Sequence, residues 1–451
     1  MNIMIAGCGR IGRAIAGQLC EEKHEITVMD IHQDALSAAT GSMDVIGYNG
    51  DCTSYRAQLE AGVEDADLMI AVTNQDEKNM LTCLVAKKAG KCRTIARVRS
   101  PQYFQEIGYL RDELGLSMAI NPEYVASAEI VRLIQIPSAL EVDTFAKGRV
   151  NMISLDVPEG SILDGMLLKD MPSRVGQSAL ICIVERNGQF IIPGGLTEIR
   201  AGDRISVTLS LADVSDFLNK IGIRARRIRN VLIAGGGTIS YYLAKRLLEL
   251  KIDVKIIEKD PARCEELAEL LPKAMIIQGD ATDKALLTEE SAEDMDAVCA
   301  LMQHDEENIL LSLYMKKISE AKVITLVTRN SYEDIAGELP IGQIVSPKKI
   351  TAEYITRFVR SMHNEEGSDV VALYKMKKDQ VESMEFHVGN DARVVGKQLK
   401  DLALKPNTLL TCIARNREII RPGGRDVICP GDSVVVVTTQ KGLKSIDGIL
   451  K

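Results

Sequence analysis

The residues best placed to do chemistry are glycines. Gly7-Cys8-Gly9-Arg10-Ile11-Gly12 follows the apolar run Asn2 to Ala6 and opens the segment Arg10 to Cys20, whose Ile11, Ile15 and Leu19 recur at helical spacing. Strand, tight turn and helix are the context a G-x-G-x-x-G motif needs. The first glycine allows the turn, the second admits a pyrophosphate close to the backbone, and the third lets helix and strand pack. Unpaired N–H groups at the helix start then face the phosphates. A second strand, Glu25 to Met29, ends at Asp30. That carboxylate is an acceptor for adenosine ribose hydroxyls, and its charge repels a 2′-phosphate, favouring NAD or an adenine nucleotide over NADP.

Other candidates surround the loop. Arg10 adds a cation within it, and Arg13 and Arg97 are further cations of the first copy. Asp51 follows Gly50 after a third strand expected at about 43 to 48. Thr73-Asn74 follows a fourth strand, 67 to 72, where it opens toward the crevice, and a fifth is expected at 94 to 98. Asn74 is read either as a ligand contact or as the cap of a helix beginning Gln75-Asp76-Glu77. Asp76 and Glu77 suit a first helical turn and are read as structural. Alternating strands and helices predict a parallel sheet covered on both faces.

The design is then written a second time. Val231-Leu232-Ile233-Ala234-Gly235-Gly236-Gly237-Thr238-Ile239-Ser240 restates the opening, with Glu258 for Asp30, Gly279-Asp280 for Gly50-Asp51 and Met302-Gln303 for Thr73-Asn74. The same register carries Asp76-Glu77 to Asp305-Glu306, Asn79 to Asn308 and Tyr103 to Tyr332. Ser240 replaces the third glycine, and Thr238, Tyr241 and Leu326 stand where Arg10, Arg13 and Arg97 stood. Each of the last three changes removes a cation, so the first copy is expected to bind a phosphate-rich ligand more strongly. Each copy closes with a helix after Pro122 or Pro347. Val125, Ala128, Val131 and Ile134 in one, and Ile350, Tyr354, Ile355, Phe358, Val359 and Met362 in the other, form apolar stripes that need a cover.

Between and after these units lie β-rich segments that also repeat. Leu168-Lys169-Asp170 returns as Leu399-Lys400-Asp401, Pro193-Gly194-Gly195 as Pro422-Gly423-Gly424, and Gly202-Asp203 as Gly431-Asp432. Asn187-Gly188 predicts a hairpin turn. The expected order is therefore A-B-A-B. Its parts are a Rossmann-like domain over 1–137, a small α+β domain over 138–223, a basic linker over 224–229, a second Rossmann-like domain over 230–364 and a second small domain over 365–451.

The β-rich segments hold no Ser/His/Asp, Cys/His or metal-ligand grouping. Of the five histidines, His24, His32, His304, His363 and His387, none lies in the first small domain and His387 has no sequence neighbour to work with. No catalytic residue and no metal site are nominated. An NAD-dependent oxidoreductase with two Rossmann domains is the alternative; it needs a proton donor or acceptor facing the nicotinamide. A duplicated nucleotide-binding unit without a catalytic domain points instead to a sensor.

Composition sets outer limits. A chain of 451 residues exceeds one core, and 46% hydrophobic with 26% charged residues is ordinary for a soluble globular protein. No transmembrane run appears, and the expected start is a strand rather than a leader. Ten scattered cysteines suggest reduced thiols in a cytoplasmic compartment. A net charge of −8 disfavours nucleic acid, with Arg224-Ala225-Arg226-Arg227-Ile228-Arg229 as a short basic exception, read as a solvated linker or a docking site for an acidic or lipid surface.

Together, residues 7 to 12, Asp30, Gly50-Asp51, Glu64-Asp65-Ala66-Asp67, Ala71 to Met80 and Ile95 to Pro101 resemble the Trk potassium-uptake proteins of the TrkA family, which are built from tandem RCK domains. The doubled Rossmann unit with its smaller companion is similar too, so the likeness spans essentially the whole chain. The resemblance implies a non-enzymatic, cytoplasmic subunit at the inner face of the membrane, assembled as a homo-oligomer, a ring of four chains. Its implied partner is a membrane potassium-translocating subunit of the TrkH/TrkG type, whose flux it controls by binding NAD, NADH, ATP or ADP. Carried over, the family's contacts fall on Gly7, Cys8, Gly9, Arg10, Ile11, Asp30, Thr73, Asn74 and Arg97. In the second copy they fall on Gly235, Gly236, Gly237, Thr238, Ile239, Glu258, Met302 and Gln303. Asp51 and Asp280 complete the candidates. A regulator of a different cation channel or exchanger would keep the same physics and change only the partner.

Overall fold

The computed structural model describes residues 1–136, 141–145, 149–176, 179–223, 228–363, 370–376, 380–416, 418–443 and 445–451. Arg224 to Arg227 of the basic run lie outside the described residues. The chain divides into two compact units. One combines Met1–Val131 with Ile228–Thr356, the other Arg132–Arg227 with Arg357–Lys451.

The first unit opens with a six-stranded sheet of β1 (Asn2–Ala6), β2 (Glu25–Asp30), β3 (Ile46–Asn49), β4 (Leu68–Ala71), β5 (Arg93–Arg97) and β6 (Met118–Ile120). Its order is β3-β2-β1-β4-β5-β6 and all its pairings are parallel. Parallel strands are covered on both faces, which is why Leu68-Met69-Ile70-Ala71 is apolar throughout and wholly buried. The helix Arg10–Glu21 buries Gly12, Ile15, Ala16 and Leu19 on one face. Strand β3 begins later than the periodicity suggests, because the Met43 N–H still bonds back to Ala39 at the end of the preceding helix.

The second unit contributes β7 (Glu141–Phe145), β8 (Val150–Asp156), β9 (Leu180–Arg186), β10 (Gln189–Ile191) and β11 (Arg204–Leu209), an antiparallel sheet in the order β10-β9-β11-β8-β7. Asn187 and Gly188 turn β9 into β10 with φ of 53° and 74°, the left-handed pair that matches strand twist in a two-residue hairpin. Arg186 grips Asp203 through two hydrogen bonds of 2.7 Å and also donates to the Glu198 carbonyl, tying β9 to the loop before β11.

Both sheets recur. Strands β12 (Asn230–Ala234), β13 (Asp253–Glu258), β14 (Met275–Gln278), β15 (Ala297–Ala300), β16 (Lys322–Leu326) and β17 (Gln343–Val345) repeat the parallel order within the first unit. Strands β18 (Val370–Met376), β19 (Val381–His387), β20 (Thr408–Arg415), β21 (Glu418–Ile420) and β22 (Ser433–Thr438) form the second small sheet, with Arg415 on Asp432 and the Val427 carbonyl repeating the arginine pin. Met152, Cys182 and Ile183 share one core with Val381, Cys412 and Val435, so the two small sheets cover each other.

Within the first unit the two parallel-sheet domains exchange contacts. Tyr124, from the helix Pro122–Gln135, stacks edge-on against Tyr242 at 5.6 Å with Arg246 over its ring, while the Tyr242 hydroxyl meets the Asn121 amide at 3.2 Å. Thr356, from the helix Pro347–His363, bonds Gln18 at 3.1 Å in the reciprocal position. The helices after the two prolines are thus covered partly by the other half of the repeat. Tyr354, counted in the apolar stripe, is instead exposed.

Candidate functional site

The order of the first sheet reverses direction between β1 and β4, and an α/β sheet opens its crevice there, beyond the carboxyl ends of the strands. The structure has a cleft of about 510 Å³ at this point. Gly7, Gly9, Arg10, Ile11, Asp30, Asp51, Thr73, Asn74 and Arg97 line it. Nine of the first-copy candidates therefore meet in one place. Cys8 does not line it; its side chain is buried and its thiol contacts the Ala35 carbonyl, while its N–H donates to the Asp30 carboxylate.

The loop geometry follows from the glycines. Gly7 has φ of +102°, and a Cβ there would stand 2.9 Å from the Thr73 nitrogen. At Gly12 a Cβ would fall 1.9 Å from the Gly7 carbonyl oxygen, so this position admits no side chain without moving the backbone. A Cβ on Gly9 would meet nothing within 4 Å, which leaves the approach to the loop open.

Asp30 is held by the loop it serves. It accepts the Cys8 N–H at 2.6 Å, the His32 N–H at 2.9 Å and the His32 ring at 3.0 Å. Burial pushes its carboxyl up, but these hydrogen bonds outweigh it and hold the group below its ordinary value. Asp51 accepts from the backbone and hydroxyl of Thr53, which lower it as well. Arg97 is 8% exposed and its buried Nε has no hydrogen-bond partner, while burial and nearby Arg99 push the guanidinium below its usual value. A largely buried cation among the residues lining a cleft suits an anionic ligand.

Two residues that the sequence marks only as a repeated pair, with no role given, organise the two loops. Asn79 accepts the Thr73 N–H at 2.7 Å and donates to the Arg97 carbonyl at 2.9 Å, locking the ends of β4 and β5 together. Its repeat Asn308 does the same for Met302 and Leu326, so recurrence at one offset was the signal. Asn74 does not cap the following helix; Gln75 holds that position without a side-chain bond, and Asn74 faces the cleft. Asp76 accepts the Arg99 and Ser100 N–H groups and Glu77 accepts the Tyr103 hydroxyl, the structural parts expected of them.

The second loop keeps the backbone plan. Gly235 has φ of +97°, and Glu258 accepts the Gly236 N–H at 2.5 Å as Asp30 accepts that of Cys8. Its surroundings differ. Arg263, where the first copy has Ala35, donates to the Gly236 carbonyl at 2.7 Å. Asp280 pairs with Lys259 at 3.0 Å and, through Thr282 and then Lys259, is lowered to about 2. Gly235, Gly236, Gly237, Thr238, Glu258, Asp280, Met302 and Gln303 do not line the cleft, whereas Ile239 does.

Ile239 enters because the far wall belongs to the second copy: Leu326, Thr328, Pro347 and Lys348 join it. Their repeat mates Ile11, Arg97, Arg99, Pro122 and Glu123 line the same cleft. The two halves thus enclose one cavity with equivalent segments carrying different chemistry. Among the described residues no group of three or more His, Cys, Asp or Glu is arranged to hold a metal ion, and no helix is long and apolar enough to cross a membrane.

Residues 3–122 and 231–347 match the TrkA-N domain, and residues 152–222 and 384–451 match the TrkA-C domain. A Trk system potassium uptake protein TrkA homolog of Archaeoglobus fulgidus is 34% identical over the full length of both chains. The crystal structure of the GsuK RCK domain superposes with a TM-score of 0.62 at 17% identity, covering 98% of this chain and 92% of that one. The GsuK channel bound to NAD gives 0.61 at 17% identity over 99% of this chain and 78% of that one. Tandem domain matches and full-length identity agree with the twofold architecture, and the chain belongs to the TrkA family.

Proposed function

We propose that this chain is the nucleotide-binding regulatory subunit of a Trk-type potassium uptake system, acting by conformational change without making or breaking bonds. Family membership and the paired RCK-like fold support a role in controlling potassium transport. The observation that carries the mechanism is the shared cleft. Gly7, Gly9, Arg10, Asp30 and Arg97 come from one half, and Thr328 and Lys348 from the other. Whatever these residues hold is touched by both domains, so occupancy favours the relative position in which both make their contacts. Only such differential binding shifts an equilibrium, and about 1 to 3 kcal/mol is the usual size of the coupling.

The residues fit an adenine nucleotide, NAD or NADH, with ATP or ADP as alternatives. Asp30 would accept the ribose hydroxyls; the loop N–H groups, Arg10 and Arg97 would receive phosphate oxygens; Ile11, Thr73, Asn74 and Asp51 would shape the walls. The bound group supplies negative charge and reach across the cleft, and the protein supplies the response. Cys8 supports through its N–H. In the second copy, the loop from Gly235 to Ile239 with Glu258, Asp280, Met302 and Gln303 forms the weaker counterpart. The partner is a membrane potassium-translocating subunit of the TrkH/TrkG type, contacted from the cytoplasm by a ring of four chains. The domain limits proposed from sequence, at 137, 223, 229 and 364, follow the same repeat.

Calorimetric titration of the full chain with NADH, NAD, ATP and ADP tests the first step, and potassium flux through the reconstituted partner tests the second. Binding of at least one ligand, coupled to a change in flux, is expected. Absence of binding at millimolar nucleotide, or a flux indifferent to occupancy, would overturn the reading.

A further inference from the structure

We propose that Lys348, from the second half, is the cation that reads the distal phosphates of a nucleotide held by the first half's glycine loop; this rests on the reading of the cleft as a nucleotide site. Lys348 is only 8% exposed, yet it lines the same cleft as Gly7, Gly9 and Arg10. Its Nζ donates to the Thr328 carbonyl at 2.8 Å and pairs with Glu333 at 3.0 Å. An ammonium has three donors, so one remains beyond these two partners.

The repeat shows that this lysine is not demanded by the fold. Pro122-Glu123 and Pro347-Lys348 are the same position in the two copies, and the first copy fills it with an acid that pairs with Arg99 at 2.7 Å. The helix after the proline forms in both. Glu333 balances the buried ammonium's charge, and the third donor is what remains for a ligand in the cleft. Along the cleft the cations also form a connected row. Arg10 leaves the glycine loop and bonds the Thr328 hydroxyl at 3.3 Å, and the carbonyl of that same Thr328 holds Lys348. A phosphate chain starting at the loop would therefore meet Arg10 first and Lys348 further on. A monophosphate would satisfy the loop alone, while a di- or triphosphate would reach the second half. Lys348 lies in the first turn of the helix Pro347–His363, so this contact would draw that helix into the response.

The test is calorimetric titration of the full chain with AMP, ADP and ATP, in wild type, Lys348→Met, Lys348→Arg and Glu333→Gln. Lys348→Met is expected to weaken ATP binding about 10-fold or more, the loss typical of a hydrogen bond between charged groups, while AMP binding is unchanged. Lys348→Arg should restore most of the ATP affinity, and Glu333→Gln, which releases the ammonium from its carboxylate, should raise it. Equal losses for AMP and ATP in Lys348→Met, or no loss for either, would overturn the assignment with the nucleotide site left standing. If wild type bound none of the three, the nucleotide reading itself would fall and this inference with it.

Discussion

Arg10 and Thr328 lie 318 positions apart, one in each copy of the repeat, and are joined by a hydrogen bond of 3.3 Å between the guanidinium and the hydroxyl. The glycine loop of the first half is thereby attached to the second half through the cleft-lining cation that we propose receives a phosphate. Arg10→Ala should weaken binding of phosphate-rich nucleotides about 10-fold, since a charge-assisted contact is lost. Thr328→Val keeps the guanidinium and deletes the cross-half bond, together with the hydroxyl's own bond to Asp305 at 3.1 Å, while the Thr328 N–H still holds that carboxylate at 2.9 Å. Its nucleotide affinity should equal or exceed that of wild type, because Arg10 no longer has a competing acceptor. Calorimetry on both variants checks the pair, and a Thr328→Val loss as large as that of Arg10→Ala would contradict it.

The arginine pin of the first small sheet should give the protein an acid-sensitive component of stability. Asp203 is 2% exposed on its side chain; burial raises its carboxyl, but Arg186 and the Arg200 N–H together lower it below the ordinary range. A depressed folded-state value means stability that is present above the unfolded carboxylate value, near 4, and lost as pH falls through the folded one. Arg186→Ala leaves Asp203 buried without that partner and should destabilise the second unit by about 3 kcal/mol at pH 7. The difference from wild type should shrink in the acid limb. Thermal unfolding followed between pH 7 and pH 3 measures both, and a pH-independent difference would exclude the charge as the cause.

Much of this architecture was legible because glycines and acids punctuate the chain at fixed intervals. Gly7, Gly12 and Asp30 announce strand, turn, helix and strand through steric needs that the structure bears out, and the recurrence at 228 to 229 residues foretold four sheets. What stayed hidden depends on contacts between distant segments. Nothing local marks Thr328 or Lys348 as walls of a cleft built on Gly7, because that follows from how two sheets pack. The exposure of Tyr354 is hidden for the same reason: an apolar residue on a stripe is buried only where a neighbour arrives. Asn74 was ambiguous since capping and ligand contact use the same amide, and only the backbone decides.

The third glycine offers a comparison within one molecule. Gly12 admits no Cβ, whereas the second copy carries Ser240 at the same place, fully buried with a hydroxyl that has no hydrogen-bond partner. Gly12→Ala should therefore cost more than about 2 kcal/mol, because the Gly7 carbonyl has to move. Ser240→Ala should stabilise by about 1 kcal/mol, since it removes an unsatisfied buried hydroxyl and keeps the carbon that already fits. Denaturant unfolding of the two variants should thus shift in opposite directions. A Ser240→Ala loss would mean that the hydroxyl has a role in the second loop beyond filling space.

Lys322, at the start of β16, carries the alkaline counterpart of the Asp203 effect. Burial, reinforced by Lys316 nearby, pushes its ammonium down to about 8, against an unfolded value near 10.5. Below pH 8 both states are protonated and the folded protein carries the charged form that burial disfavours. Between about 8 and 10.5 the folded state releases its proton first, so the unfolded state binds more protons and stability rises with pH. Lys322→Met keeps the length of the side chain and removes the titration. It should stabilise the protein at pH 7 by about 1 to 3 kcal/mol, with the gain fading as wild type is raised toward pH 10. Chemical unfolding at pH 7, 8.5 and 10 reads this directly. A Lys322→Met variant that is less stable than wild type at pH 7 would show that the ammonium is engaged strongly enough to outweigh its burial.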